Sequence, residues 1–345
     1  MSSKAVTRVG KKMENTENAS TPSSSARAPS AGFSRRAVID IGTNSVKLLV
    51  AEVSGRRVHP LLERSEQTRL GRGFYATHRL QPAAIADTAR AVAGFAAQAR
   101  EWGAVPTRVI ATSAARDAIN QSELLAALQS ASNLEVDVIS GEQEADWAFR
   151  GVNSDPAFAG QPLLLVDVGG GSTEFILGEG DHQRFRHSFR IGTVRLMELL
   201  PRSDPPTGFE WDQYRAHVSD FLEQQVRPAI EPELWTFPKH RVQLVGTGGT
   251  ASTMTRIELG LQTFERDSIE ALRLTRAQVR RQRERLWSLP LANRKQIAGL
   301  PPDRADVILT GVPIYEIFME KFDFPDLRVS TRGLRFAAVM DLDAQ

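Results

Sequence analysis

Two stretches of the chain, "RAVIDIGTNSVKLLVA" and "LLLVDVGGGSTEFILG", carry one pattern, D-x-G-x-x-S between apolar runs, at an offset of 127 residues. Matching Asp40 to Asp167 places Gly42 on Gly169 and Ser45 on Ser172, with apolar residues aligned on both sides. Three consecutive glycines, Gly169, Gly170 and Gly171, would weaken a strand interior, so they mark a turn between two strands. Two unrelated hairpins could share such turn chemistry. Both copies, however, sit in the same strand–turn–strand context and are followed by mixed α/β segments, which argues for an internal duplication. A duplicated α/β unit constrains the chain to two like halves with a cleft between them.

The length of 345 residues fits two domains of ordinary size. There are no cysteines, which excludes disulfides, thiolate metal sites and a cysteine nucleophile, and fits a cytoplasmic protein. No apolar run is long enough to span a bilayer, and the N-terminus lacks the apolar core of a secretory signal. No membrane partner is therefore expected. The net charge of +2 is uneven: residues 1–36 hold seven Lys/Arg against Glu14 and Glu17, or +5, leaving −3 for the rest. Basic character belongs to the tail, so a nucleic-acid partner has little support. With "STPSSSARAPSAG" low in apolar residues, residues 1–36 are expected to be a disordered tail.

Ordered structure is expected from Ala37. Strands are predicted over Ala37–Ile41, Val46–Val53 and Arg57–Thr68, then a helix with Pro82 in its first turn and Gly103 past its end. "TRVIAT" predicts a strand, "SAARDAINQSELLAALQSA" one helix, "LEVDVIS" a strand and "GEQEADWAFRGV" a helix. After the second hairpin, "QRFRHSFRI" alternates as a strand does, with Phe185, His187 and Phe189 on one face. Helices are predicted around Val194–Leu200 and Phe209–Ile230, and "RVQLVGTGGTASTMTRIEL" as strand, glycine-rich turn and helix. An Arg-rich helix over Leu272–Leu289, a loop and helix in "LPPDRADVILTGVPIYEIFMEKF", and a strand and helix in "LRVSTRGLRFAAVMDL" complete the chain.

Three turns share one chemistry. "DIGTNS", "DVGGGS" and "GTGGTAS" each leave an apolar strand into small residues that let backbone N–H groups converge on an anion. The phosphate-binding candidates are Gly42, Thr43, Asn44 and Ser45, then Gly169, Gly170, Gly171 and Ser172, then Gly246, Thr247, Gly248, Gly249 and Thr250. The hydroxyls of Thr43, Ser45, Ser172, Thr247 and Thr250 can add donors. Asp40 and Asp167 can hold a hydrated Mg²⁺ that bridges to phosphate. "GTGGTA" also satisfies G-x-G-x-x-G/A, but no strand ending in an acidic residue follows about twenty residues on, so a dinucleotide site is not favoured. No G-x-x-x-x-G-K-[ST] occurs, and the six histidines are scattered.

A phosphate-handling enzyme of this make-up would use an activated water, with a carboxylate base and a metal. In "VISGEQEADW" the strand ends at Ser140–Gly141, and Glu142 and Glu144 fall in the first turn of the next helix. Acids there also suit the helix macrodipole. The segment joins the two halves, where the cleft should lie. Arg116, between a strand and a helix, can face a phosphate or pair with Asp117 or Glu123. Arg69 and Arg72 in "TRLGRGF" are similar, and the Arg-rich "RLTRAQVRRQRERL" suits a solvated face better than a polyanion track.

Together "DIGTNS", "ATSAARDAIN", "ISGEQEA", "DVGGGSTE", "GTGGTAS" and "GLPPDRADVI" resemble, in order, the exopolyphosphatase/guanosine pentaphosphate phosphohydrolase family of the sugar kinase–Hsp70–actin superfamily. The resemblance covers about Ala37 to Met340. It implies an α/β protein of two actin-like (ribonuclease H-like) domains with an interdomain cleft. The expected boundaries are 37–140 for the first and 141–330 for the second, with a helix over about 331–345 packing back on the first. By resemblance, Glu144 is the catalytic glutamate and Arg116 a cleft arginine. Gly169–Ser172 is the phosphate loop, and Asp40, Asp167 and Glu174 lie at the metal, expected to be Mg²⁺ or Mn²⁺.

The implied reaction is release of terminal phosphate from inorganic polyphosphate or from guanosine pentaphosphate. The phosphate turns serve both substrates, so both remain open. A non-hydrolytic polyphosphate or alarmone sensor, and a kinase on the same fold, are the other readings; a homodimer is the family-level expectation. Thr43 departs mildly from the usual D-x-G-S-N-S. Phe336 and Ala337 replace the Glu-Gly of the usual G-L-R-E-G, which puts any role of that Glu in doubt. The chain resembles the short, two-domain form.

Overall fold

The computed structural model describes residues 29–238 and 241–342; most of the basic tail, residues 1–28, lies outside them. In the first half, β1 (Ser34–Ile41), β2 (Val46–Ser54) and β3 (Arg57–Glu66) form an antiparallel meander. Strands β4 (Thr107–Ala111) and β5 (Val136–Val138) extend it in parallel, giving the order β3-β2-β1-β4-β5. Helices α1 (Pro82–Glu101), α2 (Ser113–Asp117) and α3 (Gln121–Ser132) connect them, and α4 (Gly141–Asn153) leads into the second half.

The second half repeats this plan. β6 (Pro162–Val168), β7 (Thr173–Glu179) and β8 (His182–Phe189) form the meander, and β9 (Gln243–Thr247) adds in parallel to β6. β10 (Arg273–Thr275) and β11 (Asp326–Val329) complete the order β10-β11-β9-β6-β7-β8. Its helices are α5 (Thr193–Leu199), α6 (Gly208–Phe221), α7 (Arg227–Leu234), α8 (Gly248–Leu259), α9 (Arg266–Ala271), α10 (Arg276–Ser288), α11 (Leu291–Arg294) and α12 (Ile308–Lys321), and the chain then returns to the first sheet in α13 (Leu334–Met340). Apart from β10, strand order and sense match between the sheets. The turns match as well: Gly42 N–H donates to Ser45 O (2.9 Å), and Gly169 N–H to Ser172 O (3.0 Å).

Each sheet is covered on both faces, as mostly apolar strands require. Helices α1 and α3 cover one face of the first sheet, where Ile39, Leu48, Phe95 and Leu124 are fully or almost fully buried. α13 covers the other, with Phe336 and Val339 against Val38 and Leu49. On the second sheet, Tyr214, Met254, Leu286 and Phe318 from α6, α8, α10 and α12 build the largest core. α4 lies between the sheets. Its Ala145, Ala148, Phe149 and Val152, spaced as one helical stripe, pack on the second sheet, while Trp147 joins the core of the first.

The structure departs from expectation at several places. β1 begins at Ser34, so Arg35 and Arg36 belong to a strand; Arg35 is buried and pairs with Glu52 at 3.0 Å. The single helix expected after β4 is two, because Ala118 is extended and Asn120 instead binds both backbone groups of Leu80. The Arg-rich helix starts only at Arg276, after β10, because Thr275 and Gln278 form a reciprocal capping box. Its arginines meet acids: Arg283 pairs with Glu316 (2.8 Å) and Arg281 with Glu258 (3.0 Å). No glycine-rich turn separates β9 from α8, since the helix begins at Gly248 directly. Phe336, where the family pattern has an acid, is a core residue.

Candidate active site

The two hairpin turns point at one another. Thr43, in the first, packs against Gly170 in the second so closely that a Cβ there would lie 2.8 Å from Thr43 Cβ. Together with these turns, the N-terminus of α8, Glu144 of α4, Arg304 and the residues Gly333, Leu334 and Arg335 line a cavity of about 110 Å³. Gly42, Thr43, Asn44 and Ser45 line it, as do Gly169, Gly170, Gly171 and Ser172, and Thr247, Gly248, Gly249 and Thr250. The first N–H groups of a helix have no intrahelical partner and favour anions, so α8 presents a phosphate-type site. Gly248 makes that approach with φ +77°, and a Cβ there would lie 2.2 Å from Asp167 Oδ1.

Two expected donors are engaged elsewhere. Thr247 Oγ1 donates to Ser330 O (3.0 Å) and Thr250 Oγ1 to Val168 O (2.9 Å), so neither proton is free for an anion. Gly246 does not line the cavity; it lies in β9 against Ala251 and Tyr315.

Asp40, Asp167, Glu174 and Glu144 line the cavity together. The register that pairs Asp40 with Lys47 in β1–β2 pairs Asp167 with Glu174 in β6–β7, so Lys47 and Glu174 occupy equivalent places in the repeat with opposite charge. Burial raises the pKa of Asp40 and of Asp167, and Lys47 opposes the rise in both. Burial lowers that of Lys47. Glu174 is pushed up to about 7, by burial first and by Asp167 second, although Ser188 donates to it at 2.7 Å. Glu144 is raised well above the carboxylate range by burial and by the neighbouring Glu174.

α4 places Glu144 because Ser140 caps it, accepting from Gln143 N–H at 3.1 Å. Arg116 stands outside the cavity lining but holds Glu144: its Nη1 donates to Ile139 O (2.9 Å) and to Glu144 Oε2 (3.2 Å). Arg69 and Arg72 do not reach the cavity. Arg69 instead pairs with Asp306 and donates to Asp303 O (3.1 Å), tying the halves together. Sequence reasoning missed Lys47, Arg304 and Arg335, which line the cavity as its cations. Arg304 Nε is buried without a partner, and its guanidinium covers Gly249. The repeat held a signal for Lys47, since it is the partner of Asp40 across the hairpin. Arg304 lay in the quoted "GLPPDRADVI" with no local cue to its destination.

Among the described residues, no group of three or more His, Asp or Glu is set to hold a metal ion by itself. Asp40, Asp167 and Glu174 are thus not a ready-made cage. They still fit Mg²⁺, which takes one or two carboxylates and completes its octahedron with water and phosphate oxygens.

The model of the Ppx/GppA phosphatase family matches residues 49–342. The chain belongs to that family. It is similar to Exopolyphosphatase 2 of Mycobacterium tuberculosis, 35% identical over 296 residues, which cover 82% of this chain and 89% of that protein. It is also similar to the guanosine-5'-triphosphate,3'-diphosphate pyrophosphatase of Photobacterium profundum, 29% identical, covering 89% of this chain and 59% of that protein. The solved Aquifex aeolicus PPX-GPPA enzyme superposes with a TM-score of 0.72 at 30% identity, over 90% of this chain and 100% of that one. The two matched halves are thus actin-like domains, and the cavity lies in the cleft between them. No helix among the described residues is long and apolar enough to cross a membrane.

Proposed function

We propose that this protein is an exopolyphosphatase that releases terminal orthophosphate from inorganic polyphosphate, with guanosine pentaphosphate as the second substrate to test. One observation carries the reading: Glu144, buried and of raised proton affinity, lines the same cavity as the paired phosphate turns. The turns Gly42–Ser45 and Gly169–Ser172 and the N-terminus of α8 hold the terminal phosphoryl group. Glu144 takes a proton from water as the water oxygen attacks phosphorus; the bridging P–O bond breaks and the shortened chain leaves with the bond's electrons. Arg116 keeps the Glu144 carboxylate in place. Lys47, Arg304 and Arg335 offset the charge of the chain end. Asp40, Asp167 and Glu174 would hold Mg²⁺, or Mn²⁺ in its place, which when bound offsets phosphate charge.

The similarity to the Mycobacterium tuberculosis exopolyphosphatase, over most of both chains, favours polyphosphate. The Photobacterium profundum relative supports the guanosine pentaphosphate reading. Phosphate release from long polyphosphate, short polyphosphate and guanosine pentaphosphate, under one set of conditions with Mg²⁺ or with chelator, tests the reading. The highest kcat/KM is expected on polyphosphate, lost with chelator. A higher value on guanosine pentaphosphate moves the assignment to that substrate. Binding without release under either metal makes the protein a sensor, and ATP formed from polyphosphate plus ADP makes it a kinase.

A further inference from the structure

Tyr75 belongs to neither phosphate turn, yet it ends where the two turns meet. It lies in the loop between β3 and α1, and α5 of the second half holds that loop. Gly73 N–H and Tyr75 N–H donate to the two oxygens of Glu198, at 2.5 and 3.0 Å. Arg195 of the same helix lies over the Tyr75 ring, 4.2 Å from its centroid, and donates to Gly171 O at 2.8 Å. The ring is thus clamped against the Gly169–Ser172 turn.

Its hydroxyl is buried and has no hydrogen-bond partner of good geometry, the Thr43 hydroxyl being the group that faces it. A Cβ on Gly171 would lie 2.4 Å from Tyr75 Oη, 2.3 Å from Ser113 Oγ and 2.9 Å from Thr43 Oγ1. Three hydroxyls therefore surround one point behind the phosphate turn. Thr43 and Ser113 line the cavity and Tyr75 does not. Burial holds the phenol pKa up at about 12, so near neutral pH it is a donor. A buried donor without an acceptor is costly and needs a reason.

A threonine hydroxyl has one proton and two lone pairs. If that proton points back toward Tyr75, the cavity meets only lone pairs, which repel a phosphate oxygen. We propose that Tyr75 is a positioning residue for bound phosphate: its hydroxyl donates to Thr43 Oγ1 and thereby directs the single Thr43 proton at a phosphate oxygen. The relay runs from Tyr75 to Thr43 to phosphate, each bond strengthening the next. It rests on the cavity being a phosphate site.

Calorimetric binding of orthophosphate to the full chain with Mg²⁺ tests the relay without requiring turnover. Tyr75→Phe keeps the ring under Arg195 and removes only the hydroxyl; it is expected to weaken orthophosphate about tenfold, the scale of one hydrogen bond in a charged site. In a Thr43→Val background the same change is expected to cost less than twofold, because the relay is already broken. Affinity unchanged in Tyr75→Phe, or an equal loss in both backgrounds, overturns the proposal. The thermal midpoint of Tyr75→Phe is expected to hold, and a fall in it together with equal losses assigns Tyr75 a structural role instead. A wild-type chain that binds orthophosphate but releases none from either substrate overturns the hydrolytic reading alone, and the same cycle still decides on Tyr75.

Discussion

Replacing Glu144 with Gln should inactivate the protein and stabilise it. Gln has the same shape and keeps an oxygen for Arg116 Nη1, now 3.2 Å from Oε2, so the change removes charge and basicity rather than packing. A positioned general base contributes about 10²–10⁴-fold, or roughly 3–5 kcal/mol of barrier, so phosphate release should fall by that factor. Stability should move the other way. Glu144 is buried and close enough to Glu174 and Asp40 that both raise its pKa. A carboxyl whose pKa is raised on folding binds its proton more tightly in the folded state, so it favours folding at low pH and opposes it once ionised. Glu174 sets the window: between its ordinary 4.5 and about 7 the folded protein loses stability as pH rises. That shift corresponds to about 3 kcal/mol at most, shared among coupled groups. Removing one of these charges relieves part of that cost, so the thermal midpoint at pH 8 should lie above that of wild type. The assay is phosphate release in parallel with thermal unfolding at pH 5 and pH 8 in metal-free buffer. Turnover within tenfold of wild type, or a lower midpoint than wild type at pH 8, would refute the reasoning.

Gly171→Ala should abolish most activity with the fold intact, because its Cβ would fall 2.3 Å from Ser113 Oγ and 2.4 Å from Tyr75 Oη. The overpacking cost of about 1–3 kcal/mol would push the turn out of place, giving at least a tenfold drop in phosphate release with an unchanged circular dichroism spectrum. Tyr214→Phe should lower the thermal midpoint and leave phosphate release unchanged, since the lost hydroxyl donates to Thr310 O at 2.6 Å inside the second core and is worth about 1–2 kcal/mol. Arg69→Ala should leave kcat on polyphosphate within twofold and cost about 1 kcal/mol or less, because Arg69 ties Asp303 and Asp306 to the first half and does not line the cavity; a large rise in KM would show that it binds phosphate.

The duplicated turn was legible because a hairpin turn is a local matter. Gly42 and Gly169 each bond to a serine three residues on, and small residues in a fixed pattern announce that geometry. The start of α4 after Ser140 was legible, whereas the adjacent cap at Thr275 was overlooked and the run after β4 was misjudged because its competing group lies elsewhere in the chain. Asn120 ends a helical run by bonding to Leu80, 40 residues away, and no window around residues 113–131 contains that information. β10 was absorbed into a helix because its partner, β11, lies some 50 residues downstream.

The sequence by itself determined the two-fold plan, the Gly-rich turns and the presence of Glu144 in a first helical turn between the halves. Each depends on backbone chemistry within a few residues, and so survives in linear order. The tertiary structure decided which groups face the cavity: it brought in Lys47, Arg304 and Arg335, engaged the hydroxyls of Thr247 and Thr250 elsewhere, and buried Gly246 in a strand. It also decided the chemistry of the acids. An exposed Glu174 would titrate as ordinary glutamates do; set beside Asp167 out of solvent it titrates near 7, because desolvation and like charge act only once the fold has closed around it.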